Sequence, residues 1–476
     1  MHVALRRGLA AAVVLAGAGA LGAGGCSSSR SVPIGMWSAG AGGTSIPFGQ
    51  AGTGGAGGAA MGGSSSGGEA GSPGAAGGAP TPDIPGAEWQ QIPGSSFTAP
   101  DCYVYQAKPG TLTFPPLTWS SCGTGCGTAD PLQGHSSLPP AWFASSSTYH
   151  GTAYTQFFLV FKGAWNRTVY RIVRLSDGAT VMALLKREHA VNGNMAPCDF
   201  SYPRVSALIQ RFWGGTKEWS VRGLAPEAPD KAWIWPMPAR LALPPGGLAR
   251  TDSALIVSGK GVVFGMLHPE TNSDWTTLES PSDSMYPGSE GDLAIWAEWS
   301  TPRIRGWAPD GNGVRTLIQI APAGTCFVQP SPDHVVGVAL DNDCAHGYQR
   351  GVRFWYSPRV YSQTQNVALD PVVEHDVQVD PYVPRTWGDY AALLAFDQPP
   401  KTAVSEAGHL DVVRLSTGKA WRIDPEPGYS VQQASFTFDD TWLYYGETIA
   451  NGAGVQRIYK LRRLRLDQLD AWGKPL

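Results

Sequence analysis

The chain has 476 residues and a net charge of −3, and only 15% of its residues are charged, against about 25% in an ordinary soluble domain. Without a basic run, this charge excludes a protein that binds nucleic acid through clustered Lys and Arg. No apolar stretch after residue 20 approaches the roughly 18 residues that cross a bilayer, so an integral membrane protein is also excluded. The residues after 86 hold 17 of the 18 tryptophans and are long enough for a large core.

The first 26 residues are organised like an export signal. Arg6 and Arg7 give a positive start, the run from Leu9 to Leu21 is apolar, and small residues lead into Cys26. The apolar run is too short to span a bilayer stably. The pattern therefore predicts a signal segment at 1–26.

The end of this segment, GAGGC (22–26), resembles the lipobox of bacterial lipoproteins, in which the cysteine is lipid-modified and the signal is cut before it. Ala23 stands where leucine is commonest in that motif, and an ordinary cleaved signal is the alternative. Ser27, in place of Asp, resembles lipoproteins that are sorted onward to the outer membrane. The resemblance implies lipidation at Cys26 and an outer membrane-anchored lipoprotein that faces the periplasm or the cell surface. Its contact with the membrane is then through the N-terminal lipid only.

Residues 27–86 have the composition of a tether. They contain 19 glycines, many alanines and serines, and three charged residues, Arg30, Glu69 and Asp83. So little apolar surface cannot offset the entropy of ordering the chain, and we expect this segment to be disordered. A Gly/Ser coil of this length spans on the order of 40 Å. It would hold a folded domain, residues 87–476, away from a lipid surface.

From residue 97 on, short β-rich runs alternate with turn signals, and no convincing amphipathic helix is present. Buried strands begin near residues 157, 205, 255, 293, 336, 390 and 442, a mean spacing of about 48 residues. Units of about 40–50 residues with four strands each have the size of β-propeller blades. We predict an all-β propeller, most simply with seven blades. Eight blades result if residues 98–140 form a blade of their own, and an array of β-sandwiches is the alternative fold.

Two segments, SPDHVVGVAL (331–340) and FTFDDTWLYY (436–445), resemble the turn-then-apolar-strand punctuation of TolB-type and WD-repeat-like propellers. Pro and Asp favour the tight turn between the first two strands of a blade, and the apolar run then fills the space between sheets. The resemblance implies a β-propeller. Because the last unit lacks an outer strand, we expect AEWQQIP (87–93) to supply it and so to close the ring.

Seven cysteines are present, and six remain once Cys26 is set aside. The six are Cys102, Cys122, Cys126, Cys198, Cys326 and Cys344. An even number in an exported protein predicts disulfides. Segments 102–122 and 326–344 each begin with Cys and an aromatic residue and end in Cys. Among the many possible pairings we therefore pair Cys102 with Cys122 and Cys326 with Cys344, which leaves Cys126 with Cys198. A zinc site at Cys122 and Cys126 is the alternative, although no second close pair or nearby His accompanies them.

No catalytic signature is present in the chain. The nine histidines form no HExxH and no His-x-His, and after residue 86 there is no GxSxG elbow and no Walker loop. We therefore predict no cofactor, and enzymatic activity stays open.

Acidic loops predict one ligand face of the propeller. If VVGVAL (335–340) is a second strand and QNVAL (365–369) ends the blade, then the loop at 341–350 and the connector at 370–385 share a face. The residues expected there are Asp341, Asp343, His346, Glu374, His375, Asp376 and Asp380. Their oxygen atoms favour Ca²⁺, with a cationic ligand or a solvated acidic loop as alternatives.

Three classes of function remain. The first is a lipid-anchored extracytoplasmic β-propeller that acts as a binding or assembly module at the cell envelope, for a protein or glycan ligand. The second is a secreted enzyme that acts on a polysaccharide or ester from acidic face loops. The third is a structural envelope lipoprotein. We favour the first, because the rings of loops on a propeller suit recognition without chemistry.

Overall fold

A computed structural model of the chain describes residues 89–91, 102–107, 114–131, 141–160, 167–188, 190–191, 194–195, 206–213, 216–224, 232–236, 247–259, 261–269, 271, 274–280, 287–298, 303–339, 352–359, 370–375, 384–396, 408–432, 435–449 and 458–476. The described residues are mostly β-strand. A 3₁₀ turn at Leu466–Gln468 leads into a single helical turn, α1 (Leu469–Trp472). No helix among these residues is long and apolar enough to cross a membrane.

The strands in chain order are β1 (Trp89–Gln91), β2 (Cys102–Ala107), β3 (Ser120–Gly123), β4 (Cys126–Ala129), β5 (Ala141–Tyr149), β6 (Thr152–Val160), β7 (Arg167–Arg174), β8 (Thr180–Glu188), β9 (Ala190–Val191), β10 (Asn194–Met195), β11 (Ser206–Trp213), β12 (Thr216–Leu224), β13 (Ala232–Pro236), β14 (Gly247–Arg250), β15 (Ala254–Gly259), β16 (Val262–Leu267) and β17 (Thr276–Glu279). They continue with β18 (Gly288–Glu290), β19 (Leu293–Glu298), β20 (Arg303–Trp307), β21 (Arg315–Ile318), β22 (Thr325–Pro330), β23 (His334–Ala339), β24 (Val352–Pro358), β25 (Asp370–His375), β26 (Arg385–Trp387), β27 (Tyr390–Phe396), β28 (Gly408–Arg414), β29 (Lys419–Ile423), β30 (Tyr429–Val431), β31 (Thr437–Phe438), β32 (Trp442–Ile449), β33 (Ile458–Arg465) and β34 (Lys474–Pro475).

Within the described residues, six antiparallel sheets of four or more strands form blades of a β-propeller. The first blade contains β5 to β8, with β2 and β1 added at its outer edge. The next three are β14–β17, β18–β21 and β22–β25, followed by β26–β29 with β34. The last blade joins β30 to β33 with β4 and β3. The first strands β14, β18, β22, β26, β31 and β5 contact one another in this order, which confirms the predicted all-β propeller.

The described strands of the segment 98–140 do not form a blade of their own. β2 pairs with β8 of the first blade, and β4 pairs with β33 of the last. The eight-blade alternative built on this segment is therefore wrong. β11, β12 and β13 form a three-stranded sheet, and β11 contacts β14.

The core lies between neighbouring blades. β19 is buried along its whole length because a sheet packs on each of its faces. Ile295 packs with Val335 and Trp355 of the next blade, whereas Trp296 packs with Ile256 of the preceding blade. Successive residues of a strand point to opposite faces, so an unbroken apolar run suits a strand between two sheets. Each such large side chain contributes about 1.5–3 kcal/mol by its burial.

Both punctuated segments form the predicted turns. At 331–333, between β22 and β23, the N–H of Ser331 donates to the carbonyl of His334 at 2.8 Å, and the Ser331 hydroxyl accepts from the His334 N–H at 3.2 Å. At 439–441, between β31 and β32, the Asp439 carboxylate accepts from two backbone N–H groups, each at 2.8 Å. The apolar strands β23 and β32 follow these turns and are largely buried, as expected.

The outer strands of the last blade come from the N-terminal part of the chain, but not from the predicted segment. β4 pairs with β33, and β3 pairs with β4. Trp89–Gln91 pairs instead with β2, whose own partner is β8. The prediction that 87–93 closes the ring is therefore wrong, because its neighbour β2 already lies at the outer edge of the first blade.

Cys122 and Cys126 form a disulfide across the β3–β4 hairpin. Their Cα atoms lie 5.2 Å apart, a spacing typical of disulfides. Gly123 and Gly125 both have positive φ, which allows so short a turn. The predicted pairings Cys102–Cys122 and Cys126–Cys198 are therefore wrong, and the zinc alternative loses its ligands. The pairing of Cys326 with Cys344 stays a prediction, because Cys344 lies outside the described residues.

Arg171 of β7 fixes the segment 114–131 to the first blade. Its guanidinium donates to the carbonyls of Pro115 at 2.8 Å and Pro131 at 3.2 Å, and it lies 4.7 Å from the centre of the Phe114 ring. The side chain is 2% exposed, and burial lowers its pKa to about 10. One cation thus holds both ends of the segment that closes the ring.

We predict that Arg171→Met lowers the free energy of unfolding by about 2–4 kcal/mol, because it removes the guanidinium donor from the buried carbonyl of Pro131 and the half-buried carbonyl of Pro115. Urea denaturation measures the change. Arg174→Met on the same strand is the matched control, since Arg174 forms an exposed ion pair with Asp177 and its loss should cost under about 1 kcal/mol. Equal effects of the two substitutions would contradict this role of Arg171.

Candidate functional site

A cavity of about 860 Å³ opens where the first strand of each blade turns into the second. Each of the six described blades contributes residues to it, from β5, β14, β18, β22, β26 and β31 or the turns that follow them. We call it the central cavity, because the first strands are the innermost strands of a propeller. Its volume suits a ligand of drug size.

The residues of the central cavity form two layers. The inner layer consists of Arg250, Glu290, Gln329 and Arg385, which lie on the first strands β14, β18, β22 and β26. The rim consists of His150, Asp252, Asp292 and Asp440, which lie in the turns after β5, β14, β18 and β31 and are exposed. The inner layer is largely shielded from water, so its charges and hydrogen bonds are stronger than those at the rim.

Gln329 is the most deeply buried polar side chain of the inner layer. It is 3% exposed, and its amide nitrogen has no hydrogen-bond partner among the described residues. Gly288 allows this position, because a Cβ there would lie 2.2 Å from the carbonyl oxygen of Val328 and 2.8 Å from Cδ of Gln329. β18 therefore packs directly against β22, and the Gln329 amide lies beside the cavity.

Glu290 carries a proton near neutral pH. Its Oε1 accepts from the N–H of Gly388 at 3.3 Å, whereas its Oε2 is buried without a partner among the described residues. Burial raises the pKa of Glu290 to about 8, and the charge of Arg359 opposes this shift only in part. Arg359 is held at the cavity by the carbonyls of Ser331 and Pro332, at 3.1 and 2.9 Å.

Hydrogen bonds join the rim across neighbouring turns. The hydroxyl of Ser253 donates to Asp292 at 2.6 Å, and the N–H of Asp252 donates to the carbonyl of Gly291 at 2.9 Å. Nδ1 of His150 lies 3.3 Å from the Asp252 carboxylate. These contacts fix the carboxylates in place before any ligand arrives.

Trp387 covers the opposite side of the rim. Its indole N–H donates to Asp440 at 2.7 Å, and its ring lies 3.5 Å from where a Cβ on Gly151 would be. His150, just before Gly151, has a φ of 46°, a conformation that few residues other than glycine adopt. The ring of Tyr149 packs on His150 with centroids 4.0 Å apart. Residues of the first blade, of the β26–β29 blade and of the last blade thus meet at one aromatic edge of the cavity.

The predicted ligand face and the central cavity lie at opposite ends of the blade. β23 runs away from the turn at 331–333, so the loop after Ala339 begins at the opposite end of the blade. Glu374 and His375 lie within β25, in register with Arg353 and Val352. The prediction that a connector begins at 370 is therefore wrong, because 370–375 is the fourth strand.

The other predicted residues of that face lie outside the described residues. They are Asp341, Asp343, His346, Asp376 and Asp380. Ca²⁺ binding there stays a prediction. Within the described part of the chain, no group of three or more His, Cys, Asp or Glu side chains is placed to hold a metal ion.

Sequence reasoning did not single out the inner layer. Arg250, Glu290 and Gln329 are separated by about 40 residues each, as in a repeat of blade length. The one signal in the sequence is the position of these three residues, since each of them lies within two residues of a turn that contains Asp or Pro. Without an aligned set of blades, that signal does not distinguish a cavity residue from an ordinary strand end.

No protein-family model and no curated protein matches the chain. Among solved structures it is similar to the WD40 domain of Pan2 from Neurospora crassa, with 8% identity over 74% of this chain and 97% of that one and a TM-score of 0.40. It is also similar to U3-55K, with 11% identity over 72% and 99% and a TM-score of 0.40. A third is YCF48 from Cyanidioschyzon merolae, with 10% identity over 69% and 99% and a TM-score of 0.37. Such likenesses concern the fold and carry no argument about function.

We predict that stability depends on pH through Glu290. With a pKa of about 8, raised from 4.5, Glu290 keeps a proton in the folded protein that the unfolded chain releases. The folded state then binds more protons, so the free energy of unfolding falls as pH rises from about 4.5 to 8. Glu290→Gln should remove this pH-dependent change in the free energy of unfolding, which is on the order of 3 kcal/mol.

Urea denaturation of both proteins from pH 4 to 9 measures the effect, and the difference between the two curves isolates Glu290 from other titrating groups. The variant should gain stability relative to the wild type as pH rises. Parallel curves would show that Glu290 titrates normally.

Proposed function

We propose that this protein is a lipid-anchored, extracytoplasmic β-propeller that binds a small polar ligand in its central cavity. The observation that carries the proposal is Gln329, whose buried amide nitrogen borders the cavity without a partner among the described residues. A buried donor left unsatisfied costs about 1–3 kcal/mol. A ligand that accepts a hydrogen bond from this amide offsets that cost, which accounts for a polar group at this position in the cavity.

Seven blades are part of the proposal. Six of the seven strand starts expected from the sequence fall at or inside second strands, namely β6, β15, β19, β23, β27 and β32. The remaining start, near 205, coincides with β11, the beginning of the three-stranded sheet. By this spacing, β11 to β13 are the second to fourth strands of a seventh blade. This supports a seven-membered ring around the cavity.

The envelope location rests on the sequence. GAGGC (22–26) resembles a lipobox, and 27–86 has the composition of a flexible spacer. An anchor of several acyl chains binds a membrane stably, whereas one chain alone binds marginally. A tethered binding module at a membrane surface would meet its ligand at the cell envelope.

We predict that Cys26 is the site of lipidation. The expressed protein should incorporate a palmitate label and remain with the membrane fraction, and Cys26→Ser should lose both properties. Ser27→Ala is the control, since it changes the adjacent residue and keeps the thiol. Equal labelling of wild type and Cys26→Ser would contradict the anchor without affecting the cavity.

We also predict that the central cavity holds the ligand. Full-length protein in detergent, screened by thermal unfolding against small-molecule fractions of envelope extract, should gain stability with one or more fractions, by about 2.7 kcal/mol at a hundredfold excess over Kd. The double substitution of Gln329→Leu with Arg385→Met should abolish the gain. Ser258→Ala is the matched control, because Ser258 is also buried, its hydroxyl has no partner among the described residues, and it lies in β15 outside the cavity.

A gain that survives the double substitution would place the ligand elsewhere and contradict the proposal. The enzyme alternative has one observation in its favour, since the raised pKa of Glu290 is that of a general acid. Magnetic resonance spectra of the stabilising compound before and after incubation separate the two functions. Unchanged compound supports a binding module, and conversion that stops in Glu290→Gln supports an enzyme.

A further inference from the structure

The inner layer of the central cavity presents hydrogen-bond donors. Arg250 and Arg385 line it, and a guanidinium group matches the geometry of a carboxylate with two parallel N–H groups. The amide nitrogen of Gln329 only donates, and it has no acceptor among the described residues. A protonated Glu290 adds an O–H at Oε2, which is equally without a partner there. The complement of these groups is an anionic oxygen group with several lone pairs.

The rim carries the opposite charge. Within the described residues, Asp252, Asp292 and Asp440 contact a histidine, a serine hydroxyl and an indole N–H, and none of them forms an ion pair with Lys or Arg. Exposed aspartates elsewhere do form such pairs, as Asp177 and Asp467 do with one arginine each. The rim therefore keeps negative charge that the protein neutralises at other turns.

We infer that the central cavity binds a small zwitterion, with its carboxylate on the inner layer and its ammonium group at the rim. The inference rests on the proposed function and names the chemistry of the ligand. A carboxylate accepts from the Gln329 amide and from protonated Glu290, in the same cavity that the two inner guanidinium groups line. An ammonium group at the other end of the same molecule then meets the three aspartates, so one ligand complements both layers.

Glu290 couples this binding to pH. The titratable and charged groups around it are Arg359, Arg250, Arg385, Asp292, and the rim residues His150, Asp252 and Asp440. Protonated Glu290 donates to the ligand carboxylate, and ionised Glu290 repels it. With a pKa of about 8, affinity should be about tenfold weaker at pH 9 than at pH 7.

A series of ω-amino carboxylates of increasing chain length tests the inference. Only a compound long enough to reach from the inner layer to the rim can contact both layers, so we expect the affinity to depend on chain length. Each is compared with its amide, which keeps only the ammonium group, and with the simple carboxylate of the same length. The ammonium pKa of such compounds is about 10.4, so it stays charged at pH 9. Isothermal titration calorimetry on the full-length protein in detergent should show one length that binds at least about tenfold more tightly than both counterparts.

Three substitutions assign the two ends. Arg385→Gln should remove the advantage over the amide, and Asp440→Asn should remove the advantage over the simple carboxylate. Glu290→Gln keeps a donor, so it should bind the amino carboxylate at pH 7 and lose the weakening at pH 9. Asp177→Asn, at an exposed turn outside the cavity, is the control and should bind as the wild type does.

The failures of the inference and of the proposed function are distinguishable. If inorganic phosphate, a cation or a neutral compound binds, and the double substitution of Gln329→Leu with Arg385→Met abolishes that binding, the cavity is a site but the zwitterion is wrong. Equal binding of amide and amino carboxylate also overturns the inference. If no compound binds in the cavity, both proposals fall.

Discussion

The pairing of β4 with β33 is the interaction on which the rest of the structure depends. It turns a linear array of blades into a closed ring and covers the edge that β33 would otherwise expose. Arg463 of β33 lies between the rings of Trp119 and Trp442, 4.5 Å from each centroid. Trp472, in the last helical turn, donates to the carbonyl of Thr124 at 2.9 Å. These contacts thus hold the segment at 119–124 against the C-terminal part of the chain.

Closure determines the geometry of the central cavity, because the first and last blades both line it. The hydroxyls of Thr148 in β5 and Thr437 in β31 lie 2.8 Å apart, directly below the rim. On the outside, Arg171 keeps the crossing segment on the first blade. Loosening either contact would move β5 away from β31 and widen the gap between Trp387 and His150. The contacts that stabilise the ring therefore also determine the shape of the central cavity.

The parts of the fold that sequence could predict are those fixed by short-range chemistry. The turns at 331–333 and 439–441 form because Ser and Asp side chains hydrogen-bond to backbone within three residues. β4 could not be recognised, because CGTA has no apolar alternation and its partner Arg462 is more than 300 residues away. The disulfide was missed for a related reason. The similarity of segments 102–122 and 326–344 predicts disulfides that close long loops, whereas the turn at Gly123 and Gly125 already brings Cys122 and Cys126 together.

The inner layer of the cavity is more polar than the spaces between blades. There, buried positions are filled by groups such as Trp355, which lies flat against Gly337 where any Cβ would be 2.2 Å from the ring. At the cavity, Gln329 and the half-buried Glu290 take the place of such groups, and each has a polar atom without a partner in the described structure, as do buried side chains elsewhere in it, Trp355 among them. Replacing buried polar groups by apolar ones of similar volume often stabilises a protein. The gathering of polar side chains from several blades at one cavity, more than the unpaired atoms themselves, therefore supports the proposed ligand site.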